Sequence, residues 1–183
     1  MKKMRKNLSK NMKKILFAVI FTLAILTAAF AQKPDDSKDA LGVVNKMFDM
    51  MAAHKPAEIV ALHTTEAQLV AISKNKEGKS VIRTIKAEDF SKFFAEKKAE
   101  ILEDMYAPKV ELTGDFAQIS GRYVFFVNGK ISHCGVNAFH LVRTDAGWHI
   151  AGSASTMEPQ GCTEQEKTMK APAPPTPAPA TKQ

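Results

Sequence analysis

Tyr123, His133 and Asn137 are the residues of this chain whose types best suit chemistry at a buried site. A phenol donates a hydrogen bond, an imidazole exchanges protons near neutral pH, and a carboxamide both donates and accepts. All three lie between residues 117 and 156 among alternating apolar residues, so strand pairing decides whether they converge. Two turn signals, Asn128-Gly129-Lys130 and Asp145-Ala146-Gly147, divide that stretch into three antiparallel strands. Opposing Arg143 to Trp148 sets Leu141 against Ile150, Phe139 against Gly152, Asn137 against Ala154 and Gly135 against Thr156. In the preceding hairpin, a strict two-residue turn would oppose Phe126 to Ile131. A bulged three-residue turn instead aligns Ile119, Tyr123 and Phe125 with Phe139, Gly135 and His133, and it is preferred because it keeps the large apolar residues on one face.

That register puts Tyr123, His133 and Asn137 on the buried face, beyond a cluster of Phe139, Leu141, Trp148 and Ile150. Polar groups at the wider end of an apolar concavity suit a small, largely apolar ligand. The candidate binding set is Tyr123, Phe125, His133, Asn137, Phe139, Trp148 and Ile150. The competing reading is that the three polar groups only satisfy backbone atoms or face water where the sheet flares. Catalysis would fall to Tyr123 and His133, since no inward-facing Asp or Glu is found on the meander strands and Asp49 lies opposite the apolar stripe of the first helix. His63 and Tyr106 are rim candidates with no pairing argument behind them.

Cys134 and Cys162 are the only cysteines. In an exported chain pairing is the default, and Cys134 falls opposite Met157, from which the turn Pro159-Gln160-Gly161 can bring Cys162 back onto the sheet. A thiol nucleophile is not expected, because His133 and Cys134 are strand neighbours and point to opposite faces. No metal is expected either: His140 and His149 lie diagonally on the other face without a third ligand. No cofactor is expected.

These residues need elements to hold them. Leu41, Val44, Phe48 and Met51 recur at helical spacing, with Asp36 or Ser37 as cap, and Pro56 opens a short second helix over residues 57–62. Strands follow at residues 68–72 and 81–85, then a helix from Ala87 to about Lys98 carrying Phe90, Phe93 and Phe94. Residues 101–113 read as a strand broken near Pro108, where a missing N–H predicts a bulge or an edge position. Helices first and a long antiparallel meander after them predict an α+β domain over residues 39–162.

The ends differ in kind. Seven basic residues precede the apolar run 15–31, which closes on Ala29-Phe30-Ala31, so residues 1–31 read as a signal peptide cleaved before Gln32. The run is short for a membrane span and no cysteine follows it, so neither a stable membrane anchor nor a lipid anchor is expected. Met12-Lys13-Lys14 offers a second start besides Met1. The expected location is periplasmic or secreted. Seven of the 26 Lys and Arg residues lie in this segment, and the other 19 balance the 19 Asp and Glu, which removes the case for a nucleic-acid partner. Residues 32–38 read as a linker. Residues 163–183, with five of the nine prolines, read as a disordered tail.

Gly114-Asp115-Phe116-Ala117, Val127-Asn128-Gly129-Lys130, His133-Cys134-Gly135-Val136-Asn137-Ala138-Phe139 and Gly147-Trp148-His149-Ile150 resemble the nuclear transport factor 2-like superfamily, nearest to its secreted SnoaL-like bacterial members. The resemblance covers residues 39–162. It implies a cone-shaped half-barrel in which a strongly curved antiparallel sheet wraps around N-terminal helices and a central pocket, often as a dimer. It does not imply one chemistry, because the fold carries isomerases, dehydratases and binding proteins. Val136, Ala138, Val142 and Ala151 on the outer sheet face would serve a homodimer. The leading expectation is a non-catalytic pocket protein for a small, largely apolar molecule. The alternatives are an isomerase- or dehydratase-like enzyme using Tyr123 and His133, and a structural or interaction domain with a filled pocket.

Overall fold

A computed structural model of the protein describes residues 34–175. The signal-peptide reading and the last eight residues of the tail lie outside the described residues. Two helices, α1 (Pro34–Ala52) and α2 (Pro56–Ala61), precede a hairpin of β1 (His63–Lys74) and β2 (Ser80–Lys86). A short helix α3 (Ala87–Lys92) leads to the meander β3 (Ile101–Thr113), β4 (Phe116–Val127), β5 (Lys130–Thr144) and β6 (Gly147–Thr156), followed by α4 (Glu164–Lys167). None of these helices is long and apolar enough to cross a membrane.

The six strands form one sheet in the order β2-β1-β6-β5-β4-β3. All contacts are antiparallel except β1 to β6, so the sheet is mixed rather than wholly antiparallel. The parallel contact follows from the crossover between β2 and β3, which starts the meander at the far edge and returns its last strand alongside β1. The expected α+β architecture is otherwise present. Ala40, Val44, Met47, Phe48 and Met51 of α1 pack with Ile59 of α2 onto Ala117, Ile119, Phe139, Leu141, Trp148 and Ile150 of the inner sheet face.

The pairing of Ile119, Tyr123 and Phe125 with Phe139, Gly135 and His133 is as expected. The turn itself has two residues, with Asn128 and Gly129 both at positive φ (51° and 72°), and the bulge sits further on, between the Phe125 and Phe126 pairs. In the next hairpin Arg143 faces Trp148 and Leu141 faces Ile150, but a bulge between His140 and Leu141 shifts the rest by one. Phe139 therefore faces Ser153, Asn137 faces Ser155 and Cys134 bridges to Glu158, in place of Gly152, Ala154 and Met157. At Pro108 the predicted break appears as a register shift between Tyr106 and Lys109, with Ala107 at φ 45°.

Three boundaries differ from expectation. Helix α1 begins at Pro34, inside the supposed linker, so Asp36 lies within it and pairs with Arg143 at 2.8 Å rather than capping it. Helix α3 stops at Lys92, because residues 93–100 carry the chain to the far sheet edge, where Glu100 and Asn128 exchange hydrogen bonds of 3.0 and 2.9 Å. The supposed tail is ordered at its start. Thr163 and Glu166 form a capping box, Glu166 is fully buried against Arg122, and Met169 and Ala171 pack on the outer-face cluster of Leu102, Val124, Phe126 and Cys134. The Cys134–Cys162 disulfide pins this strap, with Cα atoms 5.2 Å apart. It covers the part of the outer face over β3 to β5, while Val136 stays 36% exposed.

Candidate functional site

A cavity of about 440 Å³ lies between the concave sheet face and the helices α1 and α3. Every strand contributes to it, which requires the sheet to curve around it. Its walls are mostly apolar: Met47, Phe48 and Met51 come from α1, Phe90 from α3 with Phe93 and Phe94 just after it, and Phe125 and Phe139 from the sheet. Its polar lining is Arg83, Glu103, Tyr123, His133, Asn137, Ser153 and Ser155.

Five of the seven residues in the candidate set line this cavity: Tyr123, Phe125, His133, Asn137 and Phe139. Trp148 and Ile150 do not. They lie in the core between sheet and helices, with the Arg143 guanidinium 4.6 Å from the Trp148 ring centre. Of the rim candidates, His63 is buried at the foot of β1, where Nδ1 meets the Ile59 carbonyl at 2.8 Å and Nε2 has no partner. Burial holds its pKa below the usual imidazole value. Tyr106 stands on the outer face and donates to Glu166 at 2.7 Å.

The principal correction is Glu103 of β3, an inward carboxylate where none was expected. Asn137 Nδ2 donates to it at 2.6 Å, and Ser155 Oγ donates to Asn137 Oδ1 at 2.7 Å, so three strands supply one polar chain. Glu103 is half-buried at the residue level, but its carboxyl faces the cavity. Desolvation raises its pKa to about 7, against the opposing effect of the Asn137 hydrogen bond. The group therefore exchanges its proton near neutral pH and suits either a ligand hydrogen bond or proton transfer.

Tyr123 is oriented differently from what an oxyanion donor needs. Its hydroxyl donates to the Thr156 carbonyl at 2.8 Å, and its ring passes over Gly135. Burial and then the nearby Glu103 raise its pKa, so it stays a neutral phenol. His133 is also buried, with Phe125 stacked on it at 4.8 Å between ring centres and Tyr123 edge-on at 5.7 Å. Desolvation lowers its pKa and favours neutral imidazole. Among the described residues, the group of potential metal ligands at close range is Cys134, Cys162 and Glu166, in which both sulfurs are consumed by the disulfide.

No protein-family model and no curated protein matches the chain. Solved structures do match. A nuclear transport factor 2-like protein with a cystatin-like fold from Novosphingobium aromaticivorans aligns over 83% of this chain and 94% of its own, at 10% identity and a TM-score of 0.55. A proposed dehydratase of the same family from Streptomyces avermitilis aligns over 68% and 98%, at 13% identity and a TM-score of 0.54. The beta subunit of a proposed aromatic-ring-hydroxylating dioxygenase from Novosphingobium aromaticivorans aligns over 75% and 96%, at 9% identity and a TM-score of 0.57. At such identities the likeness is one of architecture, and the chain has the nuclear transport factor 2-like, cystatin-like α+β fold.

Proposed function

We propose that the protein is an exported pocket protein that binds a small, largely apolar molecule reversibly. The observation that carries this reading is the cavity of about 440 Å³, aromatic on its walls and polar at Glu103, Asn137 and Ser155. An apolar wall with a few convergent polar groups is the usual composition of a small-molecule site. Binding is favoured over turnover because the Tyr123 hydroxyl is already committed to a backbone carbonyl, so the base-like Glu103 has no free phenol beside it to polarise a substrate carbonyl. Export is supported by the Cys134–Cys162 disulfide, which belongs to an oxidising compartment.

Native mass spectrometry under non-reducing conditions, on protein purified from the exported fraction, tests the reading. The expected result is a small added mass that disappears on denaturation. A bare protein mass that also takes up no apolar compound added in excess would contradict it.

A second reading is favoured by Glu103 alone: an acid/base enzyme in which this carboxyl, with its pKa about 7, moves a proton on a bound substrate. If that reading holds, Glu103→Gln abolishes conversion of whatever compound is retained while leaving it bound. Conversion that survives the substitution rules out Glu103 as the proton carrier.

A further inference from the structure

Three arginines occur among the described residues, and two of them are neutralised by carboxylates: Arg122 by Glu158 and Glu166, Arg143 by Asp36 and Asp115. Arg83 differs. It lines the cavity and, among the described residues, makes no ion pair and no side-chain hydrogen bond. It stands on β2 opposite Ala71, on the same strand face as Ile85, and all three line the cavity. Phe93 and Met157 also line it while remaining 70% and 39% exposed, so the exposed members of the lining mark its mouth, and Arg83 is one of them.

The other polar groups facing the cavity do not answer this charge. Tyr123, Asn137, Ser153 and Ser155 are uncharged, His133 is a buried imidazole, and Glu103 is tied to Asn137. A guanidinium at the rim presents a donor fork that matches the two oxygens of a carboxylate.

Resting on the pocket-binding reading above, we propose that the ligand is an amphiphile with one carboxylate on an apolar body. Arg83 holds the carboxylate at the mouth, and the apolar body lies inward among Phe48, Phe90, Phe94 and Phe125. The experiment is displacement of the neutral probe N-phenylnaphthylamine from the disulfide-intact protein at about pH 6, below the Glu103 midpoint, by decanoate and by decanol. Decanoate is expected to displace the probe at about a tenfold lower concentration than decanol, the value of one charge-assisted hydrogen bond. Arg83→Gln should remove that advantage without altering the effect of decanol, and Arg83→Lys should keep most of it. Equal displacement in the unsubstituted protein, or an advantage that persists in Arg83→Gln, overturns the assignment of a carboxylate and leaves the pocket reading intact. Failure of the neutral probe itself to bind overturns the pocket reading and this inference with it.

Discussion

Glu103 on β3 and Asn137 on β5 meet at 2.6 Å across the intervening strand β4. A flat sheet would hold side chains two strands apart at roughly 10 Å, so this contact reports the curvature that makes the cavity. It also gives the pocket a carboxyl whose pKa burial raises to about 7.

That titration makes stability depend on pH. The Glu103 pKa is raised from 4.5 to about 7, so the folded protein holds a proton that the unfolded chain releases between those values. Stability from this group is complete below about pH 4.5 and is lost as pH rises to about 7, by about 3 kcal/mol at most. Urea unfolding of the native protein and Glu103→Gln at about pH 5 and pH 8 measures it. The native protein should lose up to this amount between the two pH values relative to the variant. Parallel pH dependences would show that Glu103 is not desolvated.

Gly135 is fixed by contact rather than by backbone angle. A Cβ there would lie 2.0 Å from the Thr156 carbonyl oxygen and 2.8 Å from Tyr123 Cε1. Backbone cannot move aside as a flexible side chain does, so Gly135→Ala should cost about 3 kcal/mol or more, or prevent folding. Gly42→Ala is the control, since nothing lies within 4 Å of its Cβ position in α1. That substitution should stabilise the helix by about 0.5–1 kcal/mol in the same assay.

Glu166 supports the strap rather than the pocket. It accepts from Arg122 at 2.6 Å, from Tyr106 at 2.7 Å and from the Thr163 amide at 2.7 Å, and the Arg122 contact foremost lowers its pKa to about 2. Its contribution is therefore present above about pH 4.5 and fades as pH falls through about 2. Glu166→Gln should cost about 3 kcal/mol at neutral pH, because Arg122 loses its main partner, and much less near pH 2. Thermal unfolding at the two extremes measures the difference.

Closing the 28-residue span between Cys134 and Cys162 should contribute about 3–4 kcal/mol in the chain-entropy model. The double substitution Cys134→Ser with Cys162→Ser should lower stability by that order and speed amide exchange over residues 163–171. Unchanged exchange there would mean that Arg122 and Glu166 hold the strap without the sulfur bridge.

The meander was legible because its apolar residues alternate and its turns are marked by Asn128-Gly129 and Asp145-Ala146-Gly147. Five pocket residues followed from that register. Glu103 did not, although Ile101, Glu103 and Met105 alternate on one face, because Val110 and Leu112 join the core with the opposite parity beyond the bulge at Ala107 and Pro108. Counting back by twos from Leu112 sends Glu103 outward unless the bulge is given one residue. The shift between His140 and Leu141 comes from one extra residue on β6, Ala151, and the adjacent Gly152 is the local signal that marks it. Trp148 and Ile150 share the sheet face of the pocket residues but lie in the core, because depth along the strand decides between core and cavity. The capping-box pattern Thr163-x-x-Glu166 is a local signal for α4, but docking of the strap depends on Glu166 meeting Arg122 44 residues away.

Titration with neutral N-phenylnaphthylamine decides whether the cavity between α1, α3 and the sheet takes up a small apolar molecule, as proposed. The expected result is saturable one-to-one binding that Ala71→Trp abolishes, since that side chain would grow into the cavity from β1, while cooperative unfolding is retained. Absence of saturable binding, or equal binding by the folded Ala71→Trp variant, would contradict it.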